Sequence, residues 1–478
     1  MTRAECEVLV VGAGPTGLTL AIELVRRGIA VRVIDAQGPE KSGSRGKGLQ
    51  PRTLELFDIA GMLEPFLTAG GLYPRMRVCW GPLAVPIGRL SKPVAATPAE
   101  PHPNLWMVAQ DRTEQLMRMK LESLGGRVDY RTALGGFTAT GDAVEADVAG
   151  ATLRARVLVG CDGGKSVVRK ILGLAFEGDA LPRRSMLVAD VRVSGYDREH
   201  WDTWPLARDG VLTICPLPGT DFCQLMALNR SEPTQPELSL ESFERRVARA
   251  TGGRVKVLEV RSASLYRPHA RMVTRYRVGR VLLAGDAAHV HPPSGGQGLN
   301  TGVQDAFNLG WKLARVLRGA PGELLDTYQE ERLPVAAAVL GLSTRLMMKP
   351  TARRGDEEKQ LRLTYRDGPL GGGDETSRGQ RAGDRAPDAP IIHVDGRAGR
   401  LFELLRSGAP TIVDLRCCEG DDWPSDVALY RVRPAAAFKA IYGDATALLI
   451  RPDGYLGAVS VGPSVAALRS AAKRLGCG

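Results

Sequence analysis

The sequence has no apolar run long enough to cross a membrane. Its apolar runs, such as Val8-Leu9-Val10-Val11, are of strand length, whereas a spanning helix needs about 18 or more such residues. Aromatic residues are scarce, at 5% of the chain, so few rings are available to stack on bases. There is no basic tail. The densest basic pairs, Arg26-Arg27, Arg183-Arg184, Arg245-Arg246 and Arg353-Arg354, are short and far apart. The eight cysteines include no C-x-x-C pair, which removes the signature of a redox dithiol or a zinc ribbon. Their scatter, and the adjacent Cys417-Cys418, read as reduced thiols. Met1 to Glu5 carries an acid and enters a strand, unlike a secretory leader. These absences exclude a membrane-spanning, collagen-like or wholly disordered chain. They lead to the expectation of a cytoplasmic protein with no nucleic-acid or membrane partner.

What is present is an ordinary globular composition, 44% hydrophobic and 24% charged, over 478 residues. That length suggests about three domains and a large core. The excess of 64 basic over 53 acidic residues is spread thinly, and suits a field that attracts an anionic cofactor. Residues 7–35 read as strand, turn, helix, strand, with the two strands parallel by right-handed crossover. Helices follow near 112–124 and 301–317, and strands at 157–159 and 281–284. Residues 181–260 differ, reading as antiparallel strands interrupted by a helix near 241–250. The polar, glycine-rich stretch 355–388 looks like a linker. Beyond it, alternating strands and helices suggest a small separate α/β domain.

Three motifs carry chemistry. Gly12-Ala13-Gly14-Pro15-Thr16-Gly17 is a G-x-G-x-x-G between a strand and a helix. Gly12 permits the tight turn, Gly14 lets a pyrophosphate approach the backbone and Gly17 allows close helix–strand packing. The helix N-terminus then holds the anion. Asp35 ends the second strand, where an acid accepts from an adenosine ribose and repels a 2′-phosphate, so FAD or NAD fits better than NADP. The second motif, Asp162-Gly163 after a strand, is by itself an ordinary turn. The third is Gly285-Asp286-Ala287-Ala288-His289, followed by His291-Pro292-Pro293 and Gly298-Leu299-Asn300. There a carboxylate can accept from a ribityl hydroxyl, and bare backbone and a helix N-terminus can face a flat ring. His289 and His291 form H-x-H, but no nearby acid or Cys completes a metal set, so no metal is expected. No G-x-S-x-G or hydrolase triad is evident.

With these motifs in this order, the chain resembles the single-component (group A) flavin-dependent aromatic hydroxylases, the family of para-hydroxybenzoate hydroxylase. It is most similar to the branch acting on phenols, aromatic polyketides and rifampicin. Ser44-Arg45-Gly46 leading into Arg52-Thr53-Leu54-Glu55, and Gln110 with Glu114, resemble two further family segments. The first carries an Arg that reaches the cofactor, and the second a Gln on the phosphate–ribityl chain. The resemblance implies an α/β fold: a Rossmann-like FAD-binding domain with an inserted antiparallel β-sheet substrate domain, plus a small C-terminal thioredoxin-like α/β domain. The expected boundaries are 1–180 for the FAD domain, with 75–105 contributing to the substrate domain; 181–265 for the substrate domain; 266–370 for the FAD domain continued and a helical segment; 371–388 for a linker; and 389–478 for the C-terminal domain.

The implied reaction has NAD(P)H reduce bound FAD, after which a flavin C4a-hydroperoxide formed with O2 passes oxygen to an aromatic ring. FAD is held and NAD(P)H visits transiently, with NADPH the family-level expectation. Asp162 is implied to serve the cofactor. Asp286, Gly285, Gln110 and the backbone of Gly298, Leu299 and Asn300 are expected on the flavin, and Pro292 and Pro293 at its ring. Arg45 is expected to gate flavin movement or bind the nicotinamide nucleotide. Trp201, Trp204, Met226 and Leu228 line the substrate pocket or pack in its core. Baeyer–Villiger oxygen insertion on a similar polyketide, an antibiotic-inactivating hydroxylase and a non-catalytic flavin scaffold stay open. A flavin halogenase does not fit, because Trp201-Asp202-Thr203-Trp204-Pro205 departs from W-x-W-x-I-P. A monomer or homodimer with a small aromatic substrate is expected.

Overall fold

The computed structural model describes residues 6–40, 46–81, 83–178, 185–207, 210–229, 237–292, 295–348, 356–371, 376, 378–416 and 422–478. The first sheet is the nucleotide-binding one. Its strands lie in the order Arg277–Val278, Val281–Leu283, Ala151–Gly160, Cys6–Val11, Val31–Asp35, Val128–Tyr130. Along this path all neighbours are parallel except the first pair, and an antiparallel pair, Val144–Val148 and Leu134–Ala139, branches off Ala151–Gly160. The central strand is covered on both sides, so it is apolar throughout: Val8, Leu9 and Val10 are fully buried. Helix Pro15–Val25 covers the sheet and packs against the long helix Gly298–Leu317. A further helix, Asp326–Met348, follows within the stretch expected to hold a helical segment, with Pro334 inside it. No helix of the described residues is long and apolar enough to cross a membrane.

The second sheet has the strand order Lys256–Tyr266, Met186–Ser194, Phe222–Asn229, Gly210–Pro216, His200–Ala207, Arg75–Trp80, Leu83–Arg89. Its last two strands come from a distant part of the chain, and Arg75–Trp80 joins in parallel. One face is sealed. Leu187, Ala189, Trp204, Leu212, Ile214, Leu225 and Ala227 pack under helix Leu240–Thr251 through Phe243, Val247 and Ala250. That helix starts where the Ser239 hydroxyl accepts from Ser242 N and stops at Gly252 in the left-handed conformation.

The third sheet has the order Ala398–Arg400, Pro390–His393, Ala428–Pro434, Thr411–Asp414, Ala445–Ile450, Leu456–Val461. The strand Ala428–Pro434 leads directly into helix Ala436–Tyr442. This C-terminal unit is not separate in its packing. Ile59 completes one of its cores, and Trp311 and Leu324 complete another. The described part of the expected linker is packed rather than loose: Ala382 and Ala386 are fully buried, and Gly383 N donates to Leu456 O at 2.8 Å.

Buried charges join the C-terminal unit to the rest. Arg451 donates to both oxygens of Glu331 at 2.6 and 2.8 Å and to Asp453 at 3.0 and 2.6 Å. Lys312 and Asn308 also donate to Glu331, each at 2.7 Å. Burial would raise the Glu331 carboxyl, but Arg451 and Lys312 outweigh it and hold it at about 2. Arg52 adds bonds to the carbonyls of Asp453 and Gly454. Removing one member of such a cluster leaves the others buried without full compensation. Arg451→Met is therefore expected to destabilise the protein by about 3–5 kcal/mol, read as a lower urea midpoint. The Glu331 contribution is present above the ordinary carboxylate range and is lost as pH falls from there toward about 2. Acid unfolding should accordingly begin at higher pH in the variant.

Candidate active site

The G-x-G-x-x-G turn is shaped by contacts that only glycine permits. Gly12 has φ +105°, and a Cβ there would lie 2.4 Å from Cys161 O. A Cβ on Gly17 would lie 1.9 Å from Gly12 O. At Gly14 a Cβ would meet nothing within 4 Å. That open space lies at the N-terminus of helix Pro15–Val25, with Pro15 in the first turn and no side-chain cap. Unsatisfied amides facing open space suit a pyrophosphate. Thr16 wedges between motifs, with its Oγ1 2.4 Å from where a Gly285 Cβ would sit. Asp35 is buried, with Oδ2 accepting from Ala13 N and Oδ1 from Gln37 N, both at 2.8 Å.

Asp162 begins the adjoining loop. Its Oδ2 accepts from Val167 N at 2.6 Å and Val168 N at 3.2 Å, so one oxygen fixes the turn. Its Oδ1 is buried without a hydrogen-bond partner. Arg169 then ties this loop to the Gly-Asp loop by donating to Gly164 O and Ala287 O, each at 2.9 Å.

Asp286 is exposed and faces the start of helix Gly298–Leu317, with its Oδ1 3.8 Å from where a Gly298 Cβ would be. Leu299 lies beside Gly46, whose N donates to Gln110 Oε1 at 2.9 Å. Gln110 in turn donates to Glu114 at 2.9 Å. The structure thus brings together segment 46–50, Gln110 and the helix start. The Asn300 side chain is fully committed: it accepts from Gln50 N and Thr53 Oγ1 and donates to Gly48 O and Gly296 O. Only its backbone is left for a ligand. Pro292 is buried. Arg45 and Pro293 lie outside the described residues. Orphan amides, open space at Gly14 and an exposed carboxylate opposite a helix N-terminus fit the charges of FAD.

Beneath this loop lies a group that the sequence reading missed. Asp305 is fully buried. It accepts from His289 Nε2 at 2.6 Å, Arg332 Nε at 2.7 Å and Gly285 N at 3.1 Å. Burial would raise its carboxyl, but His289 and Arg332 outweigh that and hold it at about 2. His289 Nδ1 lies 2.8 Å from His291 Nε2. Burial, aided by His289, pushes His291 well below the ordinary imidazole range, so it is neutral. The two histidines are therefore anchored on an acid 16 residues after His289, His289 directly and His291 through it. The available signal was an acid inside the helix expected at 301–317, flanked in sequence by Val303, Ala306 and Phe307.

The second sheet turns its unsealed face to this loop. Thr203, Thr213 and Met226 are paired across three strands and point one way. Trp201 and Leu228 share that face by two-residue alternation, and all five are half-buried. Tyr266, opposite Met186 at the sheet edge, donates to His291 O at 3.1 Å. Trp204 points the other way, into the sealed core, and is 3% exposed. Of the four expected pocket residues, strand parity assigns three to the open face and removes Trp204.

Asp286→Ala is expected to weaken FAD retention about 10- to 100-fold, the loss of a hydrogen bond to a charged group. Flavin absorbance after gel filtration, and fluorescence titration of the apoprotein, measure it. Unchanged retention would place the ribityl contact elsewhere.

Comparison with known proteins agrees with this geometry. Residues 5–343 match the FAD binding domain family, and residues 379–476 match the aromatic-ring hydroxylase C-terminal family. A flavin-dependent monooxygenase of Mycobacteroides abscessus is 43% identical, over 95% of this chain and 97% of that protein. A rifampicin monooxygenase of Streptomyces venezuelae is 38% identical, over 70% of this chain and 69% of that one. The ternary complex of aklavinone-11 hydroxylase with FAD and aklavinone superposes with a TM-score of 0.81 at 27% identity, covering 99% of both chains. With a dinucleotide cradle, an apposed sheet face and relatives of this kind, the chain belongs to the FAD-binding, flavin-dependent aromatic monooxygenases.

Proposed function

We propose that this protein is an NAD(P)H- and O2-consuming hydroxylase of a phenolic, polycyclic aromatic substrate. The observation that carries the reading is the half-buried sheet face of Trp201, Thr213, Met226 and Leu228, bonded through Tyr266 to the loop that begins the flavin cradle. Its mix of indole, Met and Leu surface with two hydroxyls suits a flat ring system that carries oxygens. Relatives named for rifampicin, pentachlorophenol and anhydrotetracycline support the same substrate class.

When bound, FAD supplies hydride acceptance and the activation of dioxygen. The protein's task is to position and to exclude. The helix start at Gly298–Asn300 presents backbone N–H groups and a positive dipole end to the charge that a reduced ring carries. Asp305, His289 and Arg332 hold the loop that supports this helix start. The sheet face closes the other side and keeps water from the reacting oxygen. Gly12, Gly14, Asp35, Gln110, Asp162 and Asp286 are assigned to FAD, and Pro292 to the ring edge. Arg45 and Pro293 keep the roles that the family resemblance implies. NADPH arrives from solvent, drawn by the net positive charge.

The test is aerobic incubation of the flavin-loaded protein with NADPH, isotope-labelled dioxygen and a panel of polycyclic phenols. One labelled oxygen at a ring carbon is expected. Label within a new lactone would replace the reading with Baeyer–Villiger chemistry, and no labelled product with any ring would overturn both. The apparent KM for NADPH should rise with salt as the field is screened; a salt-independent KM would remove the electrostatic part.

A further inference from the structure

Lys47 is 8% exposed, and its Nζ is buried with no nitrogen or oxygen partner among the described residues, only the weakly accepting Cys215 thiol beside it. It makes no ion pair among the described residues. Its backbone belongs to the flavin side, where Lys47 O accepts from Val108 N. Its ammonium reaches across to the substrate sheet, 4.2 Å from the centre of the Trp201 ring. Tyr73 packs on the same indole at 6.2 Å.

A buried ammonium without an anion is costly, and a ring face recovers only part of that cost. The protein's own groups do not close the deficit. The titratable groups facing Lys47 are the thiols of Cys215 and Cys223, with Arg198 beside Cys223. Burial pushes the Cys215 thiol up against the pull of Lys47, and pushes Cys223 to about 12. Neither is a thiolate near neutral pH. Two further polar atoms on the open face are also buried without partners, Trp201 Nε1 and Thr213 Oγ1. The Lys47 ammonium sits over Trp201 on the substrate sheet, which puts the missing anion on the substrate side. Close by, Cys215 Sγ touches Met107 Sδ at 3.9 Å. Met107 lines a cavity of about 670 Å³ together with Leu72, Pro216 and Leu217.

We propose that the Lys47 ammonium is the counter-ion for an ionised ring oxygen of the substrate, a phenolate or enolate, held against the open sheet face. This rests on the reading of the chain as an aromatic hydroxylase. A flat anion satisfies the ammonium while its ring lies among Trp201, Met226 and Leu228. An ionised ring is also the more electron-rich acceptor of oxygen. The phenolic proton stays in bulk solvent, because the ligand binds already ionised. Lys47 thereby selects acidic phenols and enolised 1,3-diketones over their ethers.

The test uses alizarin, a dihydroxyanthraquinone that turns from yellow to red on losing its first phenolic proton. With FAD-loaded protein, bound dye is expected to be red at least about one pH unit below the point where free dye turns, a tenfold preference for the anion. In Lys47→Met the shift should vanish and anion affinity fall about tenfold, while Lys47→Arg keeps the red form. The dimethyl ether of alizarin should bind wild type and Lys47→Met alike. Flavin content of each variant checks its folding. The proposal is overturned if wild-type protein binds no dye, or if bound dye ionises at the free-dye pH; neither result needs a variant. It is also overturned if Lys47→Met retains flavin and the shift. Dye that binds red but never stimulates NADPH oxidation would sink the hydroxylase reading and leave the anion site standing.

Discussion

The fully buried Asp305 carboxylate is the constraint on which the site depends. Three donors converge on it from three places: Gly285 N from the Gly-Asp turn, His289 from the loop after it, and Arg332 from the helix Asp326–Met348. Arg332 also reaches Thr301 O and the Tyr365 hydroxyl. Taking such charges out of water costs several kcal/mol per ion. Here that cost is met by donors from the loop and from a second helix, so loop and helices are tied to one another through this carboxylate. The exposed Asp286 and the helix start at Gly298 are held in register by this buried cluster behind the loop.

A second buried cluster does for the C-terminal unit what Asp305 does for the loop. Glu331 lies one residue from Arg332 on the same helix, so neighbouring residues face the two clusters. Arg451, Lys312 and Asn308 converge on it, and Arg52 extends the contact to the carbonyls of Asp453 and Gly454. Arg52 follows the segment whose Arg was expected at the cofactor, yet it is spent on docking. The C-terminal sheet therefore buttresses the flavin side through shared cores at Ile59 and Trp311.

Between the two layers the substrate sheet presents a face of mixed character. Its apolar residues suit a flat ring, and its unpartnered donors at Lys47, Trp201 and Thr213 suit oxygens on that ring. An all-apolar wall would bind rings indiscriminately. Buried donors that go unsatisfied without the right ligand penalise the wrong one, which is how polar sites discriminate.

Local glycine spacing carried the sequence reading. The nucleotide turn, the parallel strands around it and the family followed from motifs whose meaning lies within a few residues, because tight turns and helix starts are short-range physics. The antiparallel character of residues 186–260 was legible for the same reason, from alternation. Which face each strand residue took was not: Trp201 and Trp204 have the same chemistry, and only pairing register separates the pocket wall from the core. Nor could a sequence show that Lys47 meets Trp201, that Asp305 gathers His289 and Arg332, or that a glycine-rich stretch packs tightly. Those contacts join segments far apart in the chain, and the desolvation that gives them force exists only once the tertiary structure has removed the water.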